Sequence, residues 1–312
     1  KSQKGNILMK IFAILLLAFS FALGANSITP SKVYSQVMIV ENEVEFLLKY
    51  YGIKYDKNRL KKDVSITSNL LPRNIWQKSY EILIKINILR NEYGLPTVEP
   101  VNITPVLNLN PDLVYGMTQR ILTEINIFKI RNDIVSPKFE KKIYKNKTPV
   151  DVFNGLSIVS LLIDKLNKNE INPSFVFGEN MRVYDDITLI LQQLKIQDKT
   201  IPAQKIKDST PKDTFRTAMK ILTKIKQLEI NAGLTFVDFS QFKKESPTLS
   251  DVFELTQMIL AELQTVKAYL GIETITPGAI KYKTKTAVEV NQLMSWNLRK
   301  LELIKSLNIG GY

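Results

Sequence analysis

The sequence predicts an all-α protein of about eight helices, arranged as a bundle or a solenoid. Three observations lead to this prediction: a recurring helix start, apolar residues at the helical period of about 3.6 residues, and glycines where helices should end. Of the 312 residues, 45% are apolar and 23% are charged, a composition typical of globular proteins. We expect each unit of a degenerate repeat, about 31–42 residues long, to contribute one helix.

The helix start recurs as a fixed order of residues. A cap residue comes first, often followed by Pro, and two variable residues, an aliphatic residue and an aromatic residue come after it. Thr, Asn or Ser at the cap accepts a hydrogen bond from a backbone N–H, and Pro gives up an N–H that has no helical partner. Asp follows Thr148, Thr210 and Thr248 at the third position, which indicates capping boxes. The predicted starts are Thr29–Tyr34, Leu71–Trp76, Asn110–Tyr115, Thr148–Phe153, Glu179–Tyr184, Thr210–Phe215, Thr248–Phe253 and a degenerate eighth at Thr276.

Apolar residues then continue along one face of each unit. In the first unit, Val33, Val37, Val40 and Val44 are separated by alternating steps of four and three residues. The aromatic residue of each start is expected to lie in the core, because aromatic side chains dominate core burial. Left-handed glycines often end helices, and the expected ones are Gly52, Gly94, Gly233 and Gly271.

The linkers between the predicted helices are long for a helical bundle, whose connections usually have about 2–8 residues. An extended linker of about 15 residues reaches roughly 50 Å, which exceeds the length of a 20-residue helix. Neighbouring helices could therefore run parallel. Antiparallel helices with short helical turns inside the linkers, as in α-solenoids, are the alternative. The sequence leaves both arrangements open.

The N-terminal 25 residues indicate export. Met9 and Lys10 precede an apolar run that ends in small residues near Ala25, the pattern of a cleaved secretory signal peptide. We expect translation to start at Met9, a helical repeat domain over 26–312 with a subdivision near 195–210, and a periplasmic or secreted protein. No later run reaches the length that would span a membrane.

The composition excludes many kinds of catalysis. The chain has no Cys and no His, which excludes disulfides, cysteine zinc sites and imidazole general bases. No phosphate-binding or Ca²⁺-binding motif is present, so we expect neither a cofactor nor a metal. The adjacent Asp185 and Asp186 project in different directions on a helix and are expected to be a solvated first turn. We expect the protein not to be an enzyme.

One short motif is compatible with an enzyme. Glu245–Ser246 is similar to the Glu-Ser pair of lytic transglycosylases, which cut peptidoglycan. The aromatic and Gly-rich continuation of that signature is absent, and Pro247 and Thr248 form a helix start instead. A carboxylate-dependent cell-wall hydrolase is therefore a lesser alternative to the two binding functions that are described below.

The formal net charge is +13, and +10 without the three lysines of residues 1–25. An AT-rich genome produces a chain dense in Lys, Asn and Ile without selection for binding, and lysines also solubilise loops. If the linkers converge on one face, however, their lysines form a surface for an anion or a partner. The candidate residues are Lys57, Arg59, Lys61, Lys62, Lys138, Lys141, Lys142, Lys145, Lys147, Lys281, Lys283 and Lys285.

These observations predict an exported, non-enzymatic scaffold or protein-binding module of the bacterial cell envelope, because repeat arrays expose extended surfaces. The alternative is binding of anionic glycans or lipid headgroups through the basic linkers. Export argues against nucleic acid as the natural partner. An envelope protein is the expected partner.

Overall fold

A computed structural model of the chain describes residues 28–64, 69–98, 102–168 and 171–308. The predicted signal peptide therefore lies outside the described residues. Within those ranges the protein consists of nine α-helices and one 3₁₀ turn at Phe239–Gln241, which confirms the all-α prediction. The helices are α1 (Pro30–Tyr50), α2 (Lys57–Asp63), α3 (Pro72–Glu92), α4 (Pro111–Arg131), α5 (Pro149–Leu166), α6 (Pro173–Gln193), α7 (Pro211–Asn231), α8 (Leu249–Tyr269) and α9 (Ala287–Glu302). None of them is long and apolar enough to cross a bilayer.

Local sequence determines where the long helices begin. Six of the eight have Pro in the first turn, where its missing N–H costs nothing. The predicted capping boxes form: at α5, the Thr148 N–H donates to Asp151 Oδ2 at 2.8 Å and the Asp151 N–H donates back to Thr148 Oγ1 at 3.2 Å. Asp thus replaces the longer Glu in this motif.

The long helices also share a type of C-terminus. Gly52, Gly94, Gly233 and Gly271 have positive φ values between 65° and 70°, which confirms the predicted stops. The following apolar residue donates its N–H to the carbonyl five residues before it, as Ile53 does to Leu48 at 2.8 Å. This is the Schellman motif, which satisfies carbonyls that the helix leaves free.

The eight long helices form two groups of four. The first group contains α1, α3, α4 and α5, and the second contains α6, α7, α8 and α9. In the first group, α1 and α3 each contact α4 and α5; in the second, α6 and α7 each contact α8 and α9. The two groups therefore repeat one arrangement of four helices around a shared core. The linker 195–210, where a subdivision was predicted, joins α6 to α7 inside the second group.

Helices within each group run parallel. Gly155 and Val37 meet about two turns from the starts of α5 and α1, and Asn180 and Thr256 meet at the same depth in α6 and α8. Each linker must therefore return along the length of a helix, as the first of the two alternatives requires. The two groups pack against each other in the opposite sense, because α3 and α8 are antiparallel: Arg73 reaches Glu262, while Lys85 reaches Ser250.

Two predicted helix starts are wrong. α6 begins at Pro173 after the cap Asn172, not near Glu179, and Val176–Phe177 occupy the aliphatic–aromatic positions. The last helix begins after Thr286, whose capping box is completed by Glu289. Thr276 instead forms an isolated antiparallel bridge with Ile103 in a linker of the first group.

The aromatic residues of the predicted starts divide into two sets. Phe153, Phe215 and Phe253 are buried, as expected for core residues. The others are half-buried at the edge of the core: Tyr34, Trp76, Tyr115 and Tyr184.

Candidate functional site

The first basic cluster, at 57–62, is divided between an ion-paired lysine and residues that extend into solvent. Lys57 Nζ contacts Glu41 at 2.6 Å and Glu45 at 2.7 Å on α1. Burial opposes the charged form of Lys57, but hydrogen bonds to these two carboxylates outweigh burial and raise its pKa. Lys57 therefore attaches α2 to α1, whereas three residues extend into solvent: Arg59, Lys61 and Lys62.

The second and third basic clusters, 138–147 and 281–285, occupy equivalent places in the two groups. Each lies in the linker that precedes the fourth helix of its group, which is α5 in the first group and α9 in the second. Lys147 Nζ lies 4.6 Å from the ring centre of Tyr34, and Lys285 Nζ lies 4.5 Å from that of Phe177. The two backbone N–H groups of these lysines donate to Ser31 and Ser174, each at 3.0 Å. These two lysines dock the linker on the first helix of each group.

The remaining lysines of these two clusters are exposed: Lys138, Lys141, Lys142, Lys145, Lys281 and Lys283. Both clusters lie at the N-terminal ends of their groups. Because the groups pack antiparallel, the structure places the two clusters at opposite ends rather than on one face. The structure therefore does not bring all twelve candidate residues together.

A second candidate site lies at the junction of α3, α5 and α8, where charged side chains are buried. Lys85 Nζ contacts Asp164 Oδ2 at 2.8 Å, Ser160 Oγ at 2.7 Å and Ser250 Oγ at 3.0 Å. Lys78 Nζ lies 3.0 Å from both Glu81 and Glu254. Lys78 is 2% and Lys85 is 1% exposed. Loss of any charged partner would therefore leave a buried charge uncompensated.

Glu81 is the carboxylate shared by the two buried lysines, with Lys85 Nζ at 3.1 Å. Burial alone would raise the pKa of Glu81, but Lys78, Lys85 and a hydrogen bond from Ser160 outweigh it and lower that pKa. Glu81 is therefore ionised, and both lysines keep their charge.

A cavity of about 120 Å³ opens beside this network. Its lining includes five lysines and two acidic residues, and Ser157, Ser160 and Ser250 contribute hydroxyl groups. The Ser157 side chain is 3% exposed, and its Oγ has no hydrogen-bond partner within the described ranges. We call this cavity the junction pocket.

A third buried cluster ties α3 to the second group. The Arg73 Nη2 atom donates to Glu262 at 2.7 Å and lies 3.4 Å from Glu229. Both carboxyl side chains are 1% exposed. Burial and the neighbouring Glu262 carboxylate raise the pKa of Glu229 to about 9, since Arg73 offsets them only in part. At neutral pH, Glu229 holds a proton and Glu262 pairs with Arg73.

In other pairs of neighbouring helices, the positions equivalent to Glu229 and Glu262 carry an ordinary ion pair. Lys129 contacts Glu43 at 2.6 Å between α4 and α1. Lys267 contacts Asp186 at 2.7 Å between the equivalent helices α8 and α6. Asp186 is thus a buried ion-pair partner that is 1% exposed, and the expectation of a solvated Asp185–Asp186 turn is wrong for Asp186.

Arg90 and Glu124 form the next equivalent pair, between α3 and α4. In the second group, Glu229 stands at the place of Arg90 and Glu262 at the place of Glu124. The pair there therefore has no cation of its own. Arg73 of the first group supplies it. The duplicated arrangement is therefore incomplete in the second group without α3.

The two acidic motifs of the sequence lie on different elements, with Asp185–Asp186 inside α6. Glu245 is exposed in the linker before α8. Across the ranges that the structure describes, no three carboxylates come together as a metal site would require.

Sequence reasoning missed the buried charges of α3. Lys78, Glu81 and Lys85 lie at steps of three and four residues, which places them along one helix face, and Arg73 lies five residues before Lys78. That spacing was the available signal, but it also describes an ordinary solvated face. Comparison with protein-family models, curated proteins and solved structures finds no match for this chain.

Proposed function

We propose that the protein is an exported, non-enzymatic scaffold or protein-binding module of the bacterial cell envelope. The junction between the two groups is the observation that carries this proposal. Buried ion pairs need matched geometry. Those of Arg73 and Lys78 join α3 to α8 and support one fixed orientation of the groups. A scaffold needs such a rigid body to hold its surfaces apart.

The surface charge supports an acidic partner. The exposed lysines of the linkers face solvent in the first and second groups alike. An electropositive surface steers acidic partners during association. Residues 1–25, on which the proposed export rests, carry the signal-peptide pattern.

Site-specific photo-cross-linking in the native host tests the scaffold proposal. A photoreactive residue replaces Lys61, Lys142 or Lys283 in the linkers, and exposed Lys220 on α7 is the control position. We expect one envelope protein to be captured from linker positions and not from Lys220. Identical adducts at all positions, or none, would contradict the proposal. The N-terminus of the captured chain, read by mass spectrometry, tests cleavage near Ala25.

Binding of an anionic glycan or lipid headgroup through the basic linkers is the second candidate function. The equivalent placement of the clusters at 138–147 and 281–285 favours it, because two separated sites on one body bind a polymer with avidity. Avidity would not require the two clusters to share a face.

The test of this second function is binding to anionic vesicles and to a polyanionic glycan between 50 and 500 mM salt. We expect affinity to fall steeply with salt. Lys142→Glu with Lys283→Glu should weaken binding more than the matched pair Lys199→Glu with Lys220→Glu, which makes the same charge change. Affinity independent of salt would eliminate this function.

A further inference from the structure

We infer that the junction pocket binds a small oxyanion of the phosphate class, free or as the end group of a larger molecule. The inference is independent of the scaffold proposal, because it concerns a cavity between the groups and not the exposed linkers. It rests on the charge, the volume and the incomplete hydrogen bonding of the pocket.

The lysines of the inner wall of the pocket are already paired with carboxylates. Lys78 and Lys85 direct their ammonium groups at Glu81, Asp164 and Glu254. These contacts use the donors of both lysines, so the inner lysines do not take a ligand directly. They hold the wall rigid instead.

The mouth of the pocket carries an excess of positive charge. Lys62 and Lys243 are exposed there, and Lys244 shares the mouth with Asp251 at 3.4 Å. Three lysines against Asp251 leave an excess of positive charge at the mouth, which favours an anion.

Ser157 adds a donor that nothing else in the described structure uses. A buried hydroxyl without a partner is destabilising, and this one lines the cavity. An anion oxygen would satisfy it. Ser250 and Asp251 belong to the first turn of α8, so the positive end of this helix dipole also lies on the wall.

The size of the pocket limits the ligand. A bound water needs roughly 10–15 Å³ of such space, so about 120 Å³ holds several waters or one tetrahedral oxyanion. A larger molecule could insert only its charged end group.

Isothermal titration calorimetry of the full chain with inorganic phosphate tests this inference, with sodium chloride holding the ionic strength constant. We expect one saturable site per chain. Lys243→Gln should lower the affinity about tenfold, since it removes a charged hydrogen-bond donor. Lys281→Gln makes the same charge change in a distant linker and should leave the affinity unchanged.

Ser157→Ala separates binding from folding. We expect it to lower phosphate affinity about tenfold while leaving thermal stability without phosphate unchanged or higher, because the lost hydroxyl has no partner. Thr265→Val is the matched control, since Thr265 Oγ1 is also buried and unpartnered but lies outside the pocket. Glycerol phosphate binding as tightly as inorganic phosphate would identify an end group, and weaker binding would identify the free ion. No saturable binding, or equal losses in variants and controls, would overturn the inference.

Discussion

Replacing Glu229 by Gln should stabilise the fold at pH 8 and flatten its pH dependence. Glu229 is 1% exposed beside the Glu262 carboxylate, and its pKa is raised from 4.5 to about 9. Between these values the folded chain holds one proton that the unfolded chain has released. Stability therefore falls as the pH rises, by about 1.4 kcal/mol per pH unit for one proton. Gln mimics the protonated acid and removes this loss.

The loss accumulated by pH 7.5 is about 4 kcal/mol, an upper bound because the pair relaxes. Urea unfolding followed by circular dichroism from pH 5 to pH 9 measures it in wild type and Glu229→Gln. Since the chain has no His, few other side chains titrate in this window.

Glu124→Gln is the matched control. It removes the carboxylate of the equivalent pair in the first group, where Arg90 stands at the place of Glu229, and leaves Arg90 without its partner. This variant should be destabilised at every pH tested. If Glu229→Gln were less stable than wild type at pH 8, or had the same slope, Glu229 would be ionised in the folded state and our reasoning would be refuted.

Four further substitutions test the packing, each by urea unfolding. Lys85→Met leaves Asp164 without its buried cation and should cost about 3–5 kcal/mol; a loss below about 1 kcal/mol would mean that the network is not buried in solution. Phe253→Ala empties a fully buried position and should cost about 3–5 kcal/mol. Gly178→Ala places a Cβ 2.7 Å from the Ile280 carbonyl oxygen and should cost about 1–3 kcal/mol. Gly116→Ala, which meets nothing within 4 Å, should instead stabilise α4 by about 1 kcal/mol.

Helix starts and stops could be predicted because they depend on neighbouring residues. The capping box of Thr148 and the left-handed Gly52 need only a few residues of sequence. The start of α6 was missed although Asn172–Pro173 followed by Val176 and Phe177 fits the same pattern. The Val–aromatic pair at 183–184 fits the pattern as well, and it lies about two turns further along the same helix.

The candidate sites were less predictable because they depend on contacts between distant segments. Lys85 meets Ser250 across 165 positions of the chain, and no local pattern encodes such a contact. Lys147 and Lys285 were placed among the exposed lysines, yet their partners are aromatic rings of other helices. Helix direction was open for the same reason, since it depends on the path of whole linkers.

The parallel course of four helices has an electrostatic consequence. Each helix carries about half a positive charge at its N-terminus and half a negative charge at its C-terminus, so four aligned helices give each group a strong polarity. Because α3 and α8 pack antiparallel, these two polarities oppose each other across the junction. Each end of the protein therefore presents helix N-termini of one group beside helix C-termini of the other. An isolated group would lose this compensation and show one uniformly positive and one uniformly negative end.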